Sequence, residues 1–389
     1  MIDISPLHPV FAITIYLVAY LTGYTIYAKK KITAIGRFET IDGLRGFLAL
    51  GVFIHHAHIW YYFIHGAGWH APKSHLYNQL GQTSVSLFFM ITSFLFISKL
   101  LQSKEKPFDW IYFFISRICR LAPMYYVSIT IVGLIVFQLS EWRLNVSPFE
   151  LIREAFHWGA FTITTTPTIN DFDKTSIINA GVIWSLPFEW LFYFSLPLIA
   201  LLILDFKPKL IFLIISLTFI ILFTIAHGVK PQHILSFCGG AIAPFLIKFP
   251  PIIRMAKSNF GSIAILLCLL VISLFQSADE TVCKMAIIVL FTIVALGNSF
   301  FGILKNKTVK LLGEMAYSTY LLHGIILFSV LYLGFGLEIV KQFSEFEYAI
   351  LIFSITPIVV ILSYFGFRFI EKPAMDYSKK INQHFQPHK

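Results

Sequence analysis

Long uninterrupted apolar runs recur along the chain, separated by short polar turns that hold most of the charge. Eleven runs predict helices, over about residues 10–28, 42–64, 82–101, 121–140, 182–204, 210–226, 233–247, 260–276, 285–304, 314–335 and 347–369. Most approach the ~20 residues that a bilayer core requires, and the seventh is the shortest. The runs are continuous rather than alternating, which excludes a porin-like barrel. The first run lacks a basic leader and a small-residue cleavage site, so it reads as a retained span and not a signal peptide. No internal repeat or low-complexity stretch breaks the series. The pattern predicts an all-α polytopic membrane protein with about eleven transmembrane helices.

Composition narrows the class further. The chain is 57% hydrophobic and 13% charged, with mean hydropathy +0.76. Soluble domains carry roughly 25% charged residues, so this chain cannot clothe a water-facing surface of its size. A soluble enzyme, a nucleic-acid-binding domain and a disordered chain are excluded. The net charge of +10 is therefore read as topology and not as a nucleic-acid footprint. With Lys29-Lys30-Lys31 taken as cytoplasmic, 22 of the 30 Lys and Arg fall on the cytoplasmic side. Seven fall outside (Lys73, Arg143, Arg153, Lys174, Lys230, Lys284 and Lys341), and Arg45 lies within a span. The positive-inside rule then predicts the N-terminus outside and the C-terminus cytoplasmic. The largest outer segment, about Glu141 to Gly181, either caps a site or forms a re-entrant or surface loop. Four scattered cysteines form neither a disulfide framework nor a metal motif.

Ionisable residues inside spans mark functional candidates. The second run holds Asp42, Arg45, His55 and His56, with His58 just beyond. Arg45 and His56 are eleven steps apart, within about 20° of three full turns, so they share a helix face and stand about 16 Å apart along the axis. Glu189, in Trp184-Ser185-Leu186-Pro187-Phe188-Glu189, enters from the outer side. It lies about 10 Å deep, and His56 lies about 9 Å from the outer edge of a ~30 Å core. A carboxylate and an imidazole at one depth are an acid–base pair in prospect. The alternatives are a snorkelling Arg45 and a Glu189 that serves as a structural partner of Arg or His. His323, in the tenth run, is either catalytic or a helix–helix hydrogen-bonding residue. Arg117 and Arg120, read as the inner loop before the fourth span, are i,i+3 neighbours. They either clamp one anion, as guanidinium forks suit phosphate, or anchor the inner face. Together with Arg45 they would hold a phosphorylated donor at the inner surface while its reactive end reaches His56.

Several segments resemble the acyltransferase-3 family of membrane O-acyltransferases, which includes bacterial polysaccharide O-acetyltransferases. Ile41-Asp42-Gly43-Leu44-Arg45-Gly46 followed by His56 is similar to the family's D-G-L-R-G start and R-x10-H spacing. Ser84 to Leu95 resembles G-V-D-L-F-F-x-L-S-G-F-L, and Arg117 with Arg120 falls on RxxR. Trp184 to Tyr193 resembles W-S-L-x-x-E-x-x-F-Y, and Leu312 to His323 resembles L-G-x-x-S-Y-S-x-Y-L-x-H. Arg368 to Pro373 resembles the terminal R-x-x-E-x-P. The order is kept from about Arg37 to Pro373. Three departures stand out: Ser86 replaces the family's Asp, Thr92-Ser93 replaces its Ser-Gly, and Trp190 and Leu191 replace a frequent second Glu and Gln.

The resemblance implies a ten-helix core over residues 37–373. It makes residues 1–36 an extra N-terminal helix with a basic linker, and 374–389 a cytoplasmic tail. It implies transfer of an acyl group, acetyl in the first instance, from cytoplasmic acyl-CoA to a hydroxyl of an extracytoplasmic glycan or lipid-linked saccharide. The setting is the inner (plasma) membrane, no metal is required, and the lipid bilayer is the other partner, with homo-oligomerisation left open. It assigns His56 to catalysis with Arg45 and Glu189 beside it, and Arg117 and Arg120 to donor binding or structure. A proton-coupled transporter or flippase, or a glycan polymerase, is the alternative reading.

Overall fold

Apolar runs in hydrocarbon must satisfy their own backbone polar groups, and helices do this within one segment. The computed structural model describes residues 5–30, 38–71, 73–103, 108–203 and 208–385. Its main helices are α1 (Pro9–Lys30), α2 (Glu39–Ile64), α3 (His75–Gln102), α4 (Trp110–Leu139), α5 (Pro148–Gly159), α6 (Leu186–Ile203), α7 (Leu210–His227) and α8 (Pro231–Gly240). They continue with α9 (Pro250–Lys257), α10 (Asn259–Ser273), α11 (Thr281–Ala295), α12 (Lys307–Glu314), α13 (Ala316–Phe328), α14 (Glu345–Gly366) and α15 (Lys372–Phe385). Among the described residues no strand forms beyond one isolated bridge, Ile169 to Phe172. Among the described residues eight helices, or nine if one bent pair counts as a span, are long and apolar enough to cross a membrane. The protein is an all-α polytopic membrane protein.

The eleven runs do not become eleven straight spans. The run at 233–247 falls on a helix pair, Pro231–Leu246 and Pro250–Lys257, bent by 113°. The next two runs form helices of 15 residues each, α10 and α11. At 1.5 Å per residue such a helix is about 22 Å long, short of a ~30 Å core. The second of them stops because Gly297 adopts φ 103°, a left-handed turn that ends the helix inside the apolar run. By contrast, α4 begins eleven residues before its run does, because the Asp109 side chain caps it by accepting from the Tyr112 amide at 2.9 Å. Arg117 and Arg120 therefore lie within a helix and not in a loop before it. Lys284, expected in an outer loop, lies in α11 and is buried. Of the charges used to read sidedness, Lys31, Arg37, Lys104, Lys106, Lys207 and Lys389 lie outside the described residues.

Packing divides the chain into two units, Met1–Phe94 with Leu235–Tyr364 and Leu95–Ile234 with Phe365–Lys389. In the first, α2 crosses α12 at backbone contact. A Cβ on Gly313 would lie 1.7 Å from the Asp42 carbonyl oxygen, and one on Gly43 would lie 2.0 Å from that of Leu304. Small residues allow such approach in membrane proteins, where packing replaces the hydrophobic drive. Lys310 of α12 pins the start of α2 through Glu39 at 2.7 Å. Gly313→Val should force the two backbones apart and cost about 1–3 kcal/mol or more. The yield of monodisperse protein in size-exclusion chromatography checks this, and a wild-type yield would contradict the crossing.

In the second unit, α5 lies within the long segment between α4 and α6. Its Ser147 cap accepts from the Glu150 amide, and Phe149, Ile152 and Phe156 form an exposed apolar stripe. Such a stripe suits a helix lying in the headgroup region. The opposite face is anchored: buried Glu154 accepts from the Asn170 amide at 2.9 Å, and the Trp158 carbonyl accepts from Tyr125 at 2.6 Å.

Candidate functional site

The glycine crossing sets the position of α2 and so of its polar residues. Arg45 stands one turn from Asp42, with Nη1 to Oδ1 at 3.5 Å, and keeps about 25% exposure. From Leu48 to Ile54 every residue of α2 is buried, and half-burial returns only at His55 and His56. Arg45 and His56 are thus two polar stations on one helix with an apolar block between them.

The three histidines clustered at 55, 56 and 58 perform three different tasks. His58 Nδ1 donates to the Pro6 carbonyl at 2.8 Å, and since the carbonyl can only accept, Nδ1 carries the proton. Its ring stacks on Tyr77 at 3.8 Å, and the Tyr77 hydroxyl donates to the His8 carbonyl at 2.7 Å. These contacts fasten the chain just before α1. His55 Nδ1 donates to the Tyr77 carbonyl at 2.7 Å, and its ring fills the space that Gly81 leaves open. His56 turns elsewhere. Its Nδ1 lies 3.0 Å from the Val52 carbonyl oxygen and 3.0 Å from His323 Nε2. Trp69 lies nearly parallel over the His56 ring, 6.4 Å between centroids at 8°. The sequence reading left His323 between two roles; the structure places it against His56.

Glu189 belongs to the second unit. It accepts a hydrogen bond from Tyr193, one turn on in α6, and Tyr193 is buried. Arg117 also reaches the Tyr193 hydroxyl, and its guanidinium lies 4.8 Å from the Phe96 ring centroid. Arg117, Tyr193 and Glu189 therefore form one polar chain. Arg120 faces a different partner: its Nη1 is 3.3 Å from Glu371, which is fully buried, and 2.9 Å from the Met375 sulfur. The two arginines of RxxR, for which the sequence offers one anion clamp or an inner-face anchor, each contact a protein group in this structure. Trp190, where the family often has a second carboxylate, packs against Phe161 and Tyr193. Ser86, where it has Asp, accepts from buried Lys284 at 2.9 Å, and Lys284 pairs with Asp279 at 3.2 Å.

Among the described residues no three metal-ligating side chains converge. A family model described as an acyltransferase domain matches residues 38–368, most of the chain. The chain belongs to the acyltransferase-3 family. Three Staphylococcus aureus proteins, from strains COL, MSSA476 and MRSA252, are 25% identical to it over 385 residues, and each is named "Putative O-acetyltransferase". These matches cover 90% of the chain, which spans 58% of the length of each relative. No solved structure matches it.

The acyltransferase-3 motifs now separate by physical task. Gly46 of D-G-L-R-G packs against Gly313 of the Leu312-Gly313 segment, and Gly43 packs against the Leu304 backbone. The carboxylate of the terminal R-x-x-E-x-P neutralises Arg120. Two contributors escaped the sequence reading as individuals, Tyr193 and Glu371. A signal existed for each: Tyr193 is four residues after Glu189, the spacing at which helix side chains meet. Glu371 is a single acid at the end of an apolar run, and a buried acid needs a cation.

Proposed function

We propose that the chain is a membrane O-acyltransferase that moves an acyl group, acetyl in the first instance, from cytoplasmic acyl-CoA to a hydroxyl of an extracytoplasmic glycan or lipid-linked saccharide. The observation that carries this reading is the held imidazole of His56, on the helix that bears Arg45, within an acyltransferase-3 match spanning residues 38–368. The relatives named as O-acetyltransferases support oxygen as the acceptor atom and acetyl as the group. An N-out, C-in orientation in the plasma membrane is part of the proposal, read from the distribution of Lys and Arg between the apolar runs.

His56 engages carbonyl oxygen through Nδ1, which leaves Nε2 to meet substrate. Acting as general base, Nε2 takes the hydroxyl proton as the oxygen attacks the thioester carbonyl. The new C–O bond forms, the C–S bond breaks, and the CoA thiolate recovers the proton from His56. In the covalent variant His56 carries the acyl group between donor and acceptor. Arg45, and separately Arg117 and Arg120 of the second unit, are assigned to the donor phosphates or to developing charge. Glu189, oriented by Tyr193, is assigned to the sugar. Surface glycan from wild-type and deletion strains, compared by mass spectrometry, tests the function. Loss of acetyl-sized mass increments in the deletion strain is expected, and an unchanged acetylation pattern would overturn the proposal.

A further inference from the structure

The hydrogen bonds around His323 define more than a contact. Its Nδ1 lies 2.9 Å from the Thr319 carbonyl oxygen, which can only accept. Nδ1 of His323 therefore carries the proton, and its Nε2 presents a lone pair. That lone pair faces His56 Nδ1 at 3.0 Å. His56 Nδ1 in turn faces the Val52 carbonyl as well, so it is the protonated nitrogen of its ring. The proton assignments run one way: Thr319 carbonyl, His323, His56, and then an unprotonated His56 Nε2.

We propose that His323 is the positioning residue of His56. It fixes His56 in the Nδ1–H tautomer and receives part of the positive charge when Nε2 is protonated. The proposal rests on the reading of His56 as the reacting imidazole. Val52 alone is a weaker hold. Its carbonyl is four residues back on the same helix, where the backbone amide of His56 already donates. His323 is fully buried, with Phe53 and Tyr320 each 6.3 Å away between ring centroids. Its ring has little freedom to leave, and water has little room to replace it. The His56 and His323 rings are 5.1 Å apart and tilted by 31°. A neutral acceptor also suits the membrane interior, where a carboxylate in the same place would need its own counter-charge. During transfer, the proton taken at Nε2 makes His56 an imidazolium, and its Nδ1–H bond to His323 strengthens as a charge-assisted one. A base held by a third group is the general logic of catalytic triads, built here from two imidazoles and a carbonyl.

Two measurements on the full chain in bilayers test this. One is the rate of label transfer from radiolabelled acetyl-CoA into the saccharide fraction of membrane vesicles. The other is the solid-state NMR spectrum of nitrogen-labelled histidine, with His56 assigned by difference. In His323→Leu, which removes the acceptor and fills the space, kcat should fall about 10- to 100-fold while KM for acetyl-CoA stays within about threefold. His56 should then show both neutral tautomers. In His323→Gln, whose amide oxygen sits where Nε2 was, most of the lost rate and the single tautomer should return. The proposal is overturned if His56 in folded His323→Leu stays wholly Nδ1-protonated, or if His323→Gln is as slow as His323→Leu. If His323→Leu does not fold, mixed tautomers in His323→Gln overturn the proposal, and a single tautomer with near-wild-type rate upholds it. The NMR measurement needs no turnover. Full activity in His56→Ala would thus refute the functional reading, while the tautomer data still decide the histidine pair.

Discussion

Replacing His56 by Ala is expected to lower acyl transfer by about 100- to 10,000-fold, the range that a positioned acid or base contributes. The protein should still fold. The ring is half-buried, and the neighbouring residues of α2 from Leu48 to Ile54 remain packed. The measurement is label transfer from acetyl-CoA in membrane vesicles at matched protein level. Full activity would remove His56 from the mechanism. The neighbouring histidines make the control. His58→Ala releases the Pro6 carbonyl and the stack on Tyr77, so it should reduce the amount of folded protein and not the rate per molecule. A selective rate loss at His56 alone would separate chemistry from anchoring within four residues of sequence.

Arg120→Ala is expected to destabilise the protein by about 3–5 kcal/mol, because it takes a cation away from a buried carboxylate. Glu371 is fully buried and 3.3 Å from the Arg120 guanidinium. Thermal unfolding in detergent and steady-state protein level should both report the loss. Replacing both partners with Met should recover much of it, since a buried ion pair exchanged for apolar side chains is often near neutral in stability. That double variant also separates two roles for Arg120. If it is stable and its KM for acetyl-CoA is normal, Arg120 serves the fold through Glu371. If it is stable and KM rises, Arg120 also holds the donor. A single Arg120→Ala variant as stable as wild type would contradict the pairing.

Much of the fold was legible because one physical fact dominates it. Hydrocarbon imposes helices about 20 residues long, and apolar runs of that length can be counted. Legibility failed where a local feature outweighed the run. The left-handed Gly297 cut a predicted span short, and the Asp109 cap extended another back over Arg117 and Arg120. Lys284 read as an outer-loop charge, but α11 carries it inward to Ser86 and Asp279.

By itself, the sequence determined the class of protein, the helical spans to within a few turns, and the residues worth suspecting: Arg45, His56, Arg117, Arg120, Glu189 and His323. Periodicity supplies a face and a depth along one helix axis, so it could relate Arg45 to His56. It says nothing about which other helix that face meets. His323 is 267 residues from His56, and only the packing of their helices brings the two rings within 3.0 Å. Just before the His323 helix, Gly313 brings α12 to backbone contact with α2 at Asp42, an approach that no hydropathy pattern encodes. The division of RxxR was likewise a tertiary decision. Arg117 and Arg120 stand three residues apart, about 60° around the helix, and which neighbour each meets is set by packing: here those are Tyr193 and Glu371.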